Sequence, residues 1–490
     1  MLGFGPSWGL ARAGVWPARS CLQPSMRVMA DERTPIRADE LARLFAHLPT
    51  CPEASVALAV SGGSDSMAMM VLFADWLGRH DRDCGRHTVL TVDHHLRPQS
   101  GTEAHRVAER AAALGFRHVV LDWRDRKPST GLQAAARDAR YRLMRNYLAA
   151  HGMTTLLVAH TRDDQAETLL MRLARGSGLD GLAAMVPARA ADVGDGGAPL
   201  SVVRPLLGVS KARLQATLKE RGIAWIEDPS NAEPAFERTR WRAMRGELEA
   251  LGLSSETLAL SARRLQRARA ALEAITDDQC AAPGFVATDP LGAFRIDRQR
   301  LRWAPEEIAL RLLGRCIAAA GGVPEPAPLA GLEAVAVQVR GGGPDNADGC
   351  WTLARALIKA RGNAIAIERE PGRISPPVAM VAGGAKLLWD GRFRVEIARA
   401  FDGQLEVRAL ARVGLAELKR RGRAIKASPA LLLTPAFWRA GELLAVPCVA
   451  FWAQQDLERL ISAHFKGLQR NFGPRAKGGR EHGGPCQSGQ

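Results

Sequence analysis

With 490 residues, 67 basic against 51 acidic side chains, a formal charge of +16 and 47% apolar residues, the chain is too long for one hydrophobic core. It points to two or three domains and a polyanionic partner, RNA first among them. No apolar stretch is long enough to span a bilayer, so no membrane association and a cytoplasmic location are expected. The eight cysteines contain no Cys-x-x-Cys pair, which argues against a structural zinc, an iron–sulfur cluster and a disulfide framework.

In chain order, Met1–Ala30 carries Arg12, Arg19 and Arg27 and no acid before Asp31. Residues 1–35 are read as a disordered leader or a mis-called start, with Met26 or Met29 as the true beginning. The apolar run Val56–Val60 predicts a strand and Met67–Leu77 a helix. Between them lie Ser61, Gly62, Gly63, Ser64, Asp65 and Ser66. A strand, a tight glycine turn and a helix start aim backbone N–H groups and a helix dipole into one concavity, which suits phosphates. The turn has no lysine. Its acid, Asp65, would repel a bare polyphosphate unless Mg²⁺ stood between them. The plain alternative is a turn with Ser66 or Asp65 as a helix cap.

Further strands are expected at Thr88–Val92, Arg117–Leu121 and Thr155–Val158, with helices at Thr102–Leu114 and Gly131–Ala150. This alternation predicts an α/β fold, a doubly wound parallel sheet (Rossmann-like) whose ligand sits at the carboxyl ends of the strands. After the fourth strand comes Ala159–Thr168. Asp164 and Glu167 share one helix face there, and His160 lies on the loop leading in. Two carboxylates so placed hold Mg²⁺ or recognise a substrate ammonium, or else belong to a capping box. Ala190–Ala198 reads as a surface loop and Lys211–Arg221 as a helix, completing a catalytic domain over 36–245.

Residues 246–370 read as a mainly helical, basic middle region. In its helix Leu258–Ile275, Arg263, Arg264, Arg267 and Arg269 form a positive surface for RNA. A Gly-rich loop at Gly341–Pro344 precedes a small α+β segment. Alternation in Phe393–Ile397 and Leu405–Arg408 predicts the strands of a small C-terminal α+β module over 371–460. Residues 461–490 are expected to be a disordered basic tail.

The Ser-Gly-Gly-x-Asp-Ser turn resembles the signature of the PP-loop ATP pyrophosphatases. With it come Val92–Arg97, Ala136–Arg142, His160–Thr168, Arg175–Gly178, Glu227–Asn231, and Arg238, Arg240 and Arg242. In order and spacing these resemble the tRNA(Ile)-lysidine synthetase family from about Ser55 to Arg245. Leu388–Phe393 is loosely similar to that family's C-terminal tRNA-binding domain. The resemblance implies a ligase that uses ATP and Mg²⁺. Its substrates would be L-lysine and tRNA(Ile) bearing the CAU anticodon, and no protein partner is expected. By the same resemblance the Ser61–Ser66 turn binds pyrophosphate, Asp65 holds the metal, and Asp164 and Glu167 attract the lysine ammonium. Arg140 and Arg242 stabilise charge at the α-phosphate, and His160 is a candidate for the amine's proton. The rival readings are a thiolating tRNA enzyme, a small-molecule amidotransferase and a non-catalytic RNA-binding homologue. Missing paired cysteines oppose the first. The basic charge and the lack of a glutaminase pattern oppose the second, and intact Asp65, Asp164 and Glu167 oppose the third.

Overall fold

The structure, a computed structural model, describes residues 33–48, 54–95, 100–128, 130–191, 200–227, 237–341, 348–372 and 375–468. The leader before Ala30, Leu96–Arg97, Asp228–Asn231, positions 192–198 of the expected loop, Gly342–Pro344 and the tail from 469 lie outside the described residues.

The first sheet holds β1 (Val56–Ala59), β2 (Thr88–Asp93), β3 (Arg117–Asp122), β4 (Thr155–Leu157), β5 (Ala188–Ala191) and β6 (Leu200–Val203), in the order β3-β2-β1-β4-β6-β5. Strands β1 to β4 and β6 run parallel, Ala57 lying level with Thr88 on one side and Leu156 on the other. Strand β5 is antiparallel to β6, so the start of the expected surface loop at Ala190 is a sheet edge. Its Ala-Arg-Ala-Ala sequence carries no period-2 contrast by which a strand would be recognised. The central strand β1 is apolar along its length because helices cover both faces of a parallel sheet.

Helix α1 (Ser64–Gly78) is apolar nearly all round, and Met67–Phe73 are all buried. It packs with α5 (Lys211–Glu220) on one face of the sheet, against Phe45, Phe116 and Leu214. The long α3 (Leu132–Ala150) lies on the other face, where Met144 and Leu148 meet Leu90 and Leu156. His87, at the foot of β2, is buried, and its Nδ1 accepts the Val56 amide at 3.1 Å. Burial, helped by the Arg82 charge, lowers its pKa from 6.5 to about 4. The sign is fixed by proton counts: between those values the unfolded chain binds more protons, so stability is complete above 6.5 and falls as pH drops towards 4. His87 alone should therefore remove about 2 kcal/mol by about pH 5. A urea midpoint that stays level between about pH 7.5 and about pH 5 would contradict a neutral buried ring.

The middle region is mainly helical and also carries a sheet. Helices α7 (Ser255–Ala281), α8 (Glu306–Gly321) and α9 (Leu329–Arg340) accompany a five-stranded antiparallel sheet, to which Val286–Thr288 and Phe294–Asp297 contribute strands not expected from the sequence. Each is too short to show its own alternation clearly. Of the four arginines expected on the α7 surface, Arg269 is instead buried, with Nη1 3.5 Å from the Asp180 carbonyl oxygen. Arg263, Arg264 and Arg267 are exposed.

The C-terminal module contains a five-stranded and a three-stranded antiparallel sheet. Ile461–Phe465 is a strand paired with Phe393–Ile397, so ordered structure continues past the expected boundary at 460. The Leu388–Phe393 motif is a joint between the middle and C-terminal sheets rather than an outer face. Asp390 is fully buried and receives Arg392 Nε at 2.8 Å, Arg369 Nε at 3.2 Å and Arg355 Nη2 at 3.4 Å. A Cβ on Gly322 would stand 2.1 Å from the Asp390 carbonyl oxygen, which is why glycine is required where the two backbones meet.

Candidate active site

The chain leaves β1, crosses to β2 and β3 on one side, and returns to β4 on the other. The carboxyl ends of β1 and β4 therefore flank the point where strand order reverses, which in open α/β sheets is where the ligand crevice lies. The Ser61–Ser66 turn follows β1, and the His160 loop follows β4.

Gly62 adopts φ +87°, and a Cβ there would lie 2.4 Å from Ile226 Cδ1. The backbone is held by Ile226 N–H donating to the Gly62 carbonyl at 2.9 Å. Ser66 Oγ donates to the Gly63 carbonyl at 3.0 Å and accepts the Ser61 amide at 3.2 Å. Gly63 is the N-cap of α1 and makes no side-chain cap. The amides of Ser64, Asp65 and Ser66 thus belong to the first turn, whose N–H groups have no partner within the helix. The turn is pre-shaped for an anion.

Asp65 Oδ1 accepts Ser64 Oγ at 3.0 Å, and Oδ2 lies 3.5 Å from Lys211 Nζ. Burial raises the Asp65 pKa, the Asp164 charge raises it further, and Lys211 opposes both. A hard oxygen donor beside phosphate-binding amides, disfavoured as a lone anion, is chemically suited to a divalent cation.

Helix α4 (Arg162–Ala174) carries the second group. Thr161 is its N-cap and Asp164 closes a capping box, Oδ2 accepting the Thr161 amide at 2.8 Å and Thr161 Oγ1 at 2.9 Å. Asp164 Oδ1 lies 3.9 Å from Arg242 Nη2. Glu167 has no part in the capping box. It is buried and accepts Arg242 Nε at 2.5 Å and Nη2 at 3.2 Å. Burial pushes the Glu167 carboxyl up against the pull of Arg242. Burial also opposes the Arg242 charge, but the Glu167 and Asp164 carboxylates outweigh it and hold the guanidinium firmly protonated. Arg242, from α6 (Glu237–Ala243), therefore fills the place expected for a substrate ammonium. Asp65, Asp164 and Glu167 are set against Lys211 and Arg242, and the Arg238 charge also reaches Glu167.

His160 stands beside this group, with Nδ1 buried and without a hydrogen-bond partner among the described residues. Burial lowers its pKa to about 4; Asp164 pulls upward, while Arg204, Arg137 and Arg238 push the same way as burial. The ring is neutral at physiological pH. Arg140 is exposed on α3, and its Nη2 lies 3.3 Å from His94 Nε2 at the end of β2. The contacts among the described residues join it to His94 rather than to the carboxylates. Arg137 lies in the Ala136–Arg142 block, whereas Lys211 and Arg204 had not been expected near the crevice. Their signal in the sequence is faint, because each is one basic residue in a strongly basic chain.

Residues 34–247 match the PP-loop domain family. The chain is 42% identical over 359 residues to a tRNA(Ile)-lysidine synthase from Bradyrhizobium sp., covering 70% of this chain and 97% of that protein. It is 43% identical over 365 residues to the protein of that name from Bradyrhizobium diazoefficiens, with the same coverage. It is 36% identical over 418 residues to the Ruegeria pomeroyi tRNA(Ile)-lysidine synthase, covering 84% of this chain and 92% of that one. With a phosphate turn and a carboxylate-bearing helix brought to one crevice, and near-complete coverage of these relatives, the chain belongs to the tRNA(Ile)-lysidine synthase family.

Proposed function

We infer that this protein is an ATP-dependent carbon–nitrogen ligase that attaches L-lysine to carbon 2 of the wobble cytidine in tRNA(Ile) bearing the CAU anticodon. The product is lysidine, with release of AMP and pyrophosphate, and the tRNA changes identity from methionine to isoleucine. The observation that carries this reading is the meeting of a helix-start glycine turn with a carboxylate pair, Glu167 buried and Asp164 partly so, at one switch point.

In the first half-reaction the cytidine carbon-2 oxygen bonds to the α-phosphorus, and the bond from that phosphorus to the bridging oxygen breaks. The electron pair departs with pyrophosphate, whose charge the Ser64–Ser66 amides and the α1 dipole stabilise. Asp65 would hold Mg²⁺, which supplies charge neutralisation at the phosphates when bound. Arg140, at the rim beside His94, is placed to meet phosphate oxygens as a planar donor.

In the second half-reaction Asp164 and Glu167 draw in the lysine ammonium. Arg242 must yield at least part of its hold on Glu167 for this. The amine, with an ordinary pKa near 10.4, must shed a proton before attacking carbon 2 and expelling AMP. His160, which takes a proton only at about pH 4, would accept it steeply uphill, so its place is that of a neutral hydrogen-bonding group. Glu167, buried on the helix face that would meet the ammonium, is a second group within the site able to take the proton.

The test is transfer of labelled lysine to a tRNA(Ile) transcript with the CAU anticodon, accompanied by pyrophosphate release. Release is expected to require ATP and this tRNA, to stop at about one pyrophosphate per tRNA without lysine because the adenylate then accumulates, and to continue to full lysine incorporation when lysine is added. Release without tRNA, or sulfur rather than lysine in the product, would refute the reading.

A further inference from the structure

The phosphate turn lacks a lysine in its own sequence, yet the fold delivers one to it from 146 positions further along. Ser210 caps helix α5, its Oγ accepting the Arg213 amide, and Lys211 is the first residue of that helix. The Lys211 backbone N–H donates to Asp163 Oδ2 at 2.8 Å, which ties the start of α5 to the start of α4. With the backbone so anchored, the side chain extends towards the neighbouring turn, and Nζ comes to 3.5 Å from Asp65 Oδ2. The lysine side chain is 46% exposed and the aspartate 25% exposed. A pair this open to solvent is held weakly and is easily exchanged.

We propose that Lys211 is a catalytic residue of the adenylation step. Its ammonium neutralises Asp65 while the crevice is empty, and turns to the β- and γ-phosphate oxygens when ATP seats on the Ser61–Ser66 turn. The assignment rests on the reaction inferred above for its kinetic consequence, but its binding consequence stands without that reaction. Three features support it. Asp65 is an acid among the phosphate donors, so a polyphosphate arriving there needs added positive charge beyond the backbone amides. Arg242, which also reaches the carboxylates, is committed to Glu167. Lys211 is the one whose partner, Asp65, lies in the turn itself.

As the α-phosphorus bonds to the cytidine oxygen and its bond to the bridging oxygen breaks, negative charge grows on the departing pyrophosphate. A point charge on a flexible stem can follow those oxygens as they leave, and it keeps its own proton throughout. No other group need be gained or lost.

The experiment compares the full-length protein with K211M and K211R. Without tRNA, calorimetry measures binding of ATP and, separately, of AMP, which lacks the β- and γ-phosphates. K211M should weaken ATP about 10- to 100-fold and leave AMP within about twofold, while K211R keeps most of the preference for ATP. With tRNA and lysine, K211M should lower kcat for pyrophosphate release about 100-fold at an unchanged KM for lysine. An unchanged ratio of ATP to AMP affinity in K211M, or a parallel loss of both ligands, overturns the assignment. If the parent protein releases no pyrophosphate with tRNA and lysine, the inferred reaction fails, and the ATP-to-AMP comparison still decides the role of Lys211.

Discussion

An Asp65→Asn enzyme is expected to fold at least as well as its parent and to lose about 100- to 1,000-fold in kcat for tRNA- and lysine-dependent pyrophosphate release. The two halves of this expectation have one cause. In the empty crevice Asp65 is partly withdrawn from water and sits near Asp164, so its ionised form is disfavoured and its pKa is raised. Asparagine keeps the shape and the acceptor for Ser64 Oγ and removes the unfavourable charge. The thermal midpoint should therefore hold or rise, as is usual when strain maintained for function is relieved. What disappears is the negative charge that would gather cations around the leaving pyrophosphate. Thermal unfolding and single-turnover pyrophosphate release on the same preparations check both parts. A variant as active as the parent would remove Asp65 from the chemistry, and one that melts well below it would show that the carboxylate stabilises the fold.

The largest stability effect is expected far from the crevice. Replacing Asp390 by asparagine leaves Arg369 and Arg392, both almost wholly buried, without the carboxylate they share. Breaking a buried pair by removing one partner costs about 3–5 kcal/mol. Burial already lowers the Arg392 pKa to about 10 even with Asp390 beside it, so the guanidinium has little stabilisation to spare. In denaturant the middle and C-terminal sheets should separate or unfold earlier. The PP-loop domain has its own core around Leu58, Met69 and Phe73, and ATP binding should survive. Denaturation followed by fluorescence of Trp389, which packs in the C-terminal core, alongside nucleotide binding would resolve the two. An unaltered transition would mean that the joint is held by packing alone. The same geometry bears on truncation: cutting the chain at Lys386 removes Asp390 from Arg355 and Arg369. A test of tRNA binding by the C-terminal module is therefore better made with surface substitutions.

A second linkage runs from the middle region to the Asp164–Glu167 pair. Gln165, next to Asp164 on α4, exchanges hydrogen bonds with the Met185 backbone at 2.7 and 2.8 Å, and Gln266 on α7 donates to the Met185 and Ala183 carbonyls at 2.7 and 2.8 Å. Nearby, Arg311 of α8 reaches Asp180 at 2.6 Å and also pairs with Glu273, which Arg315 shares. The helix bearing Asp164 and Glu167 is thus fixed to the helices of the region expected to meet RNA. None of this was legible locally. Arg269 reads as one more basic residue on a helix face, and only packing against Asp180 reveals it as buried.

The sequence by itself determined the parts that depend on neighbours along the chain. A glycine turn between an apolar strand and an apolar helix gathers its backbone N–H groups at the helix start, and residues three apart on a helix share a face, so the Ser61–Ser66 turn and the Asp164–Glu167 pair could be read directly as groups. The alternation of strands and helices likewise specified a parallel α/β sheet. Tertiary structure alone decided which groups meet across distance. Strand order brought β1 beside β4 and so placed Lys211 against Asp65. Helix α6 laid Arg242 across Glu167 where an ammonium had been expected, and the two C-terminal sheets enclosed Asp390 among three arginines. Charge pairing acts over a few ångströms in space, whatever the separation in sequence, and no local periodicity encodes it.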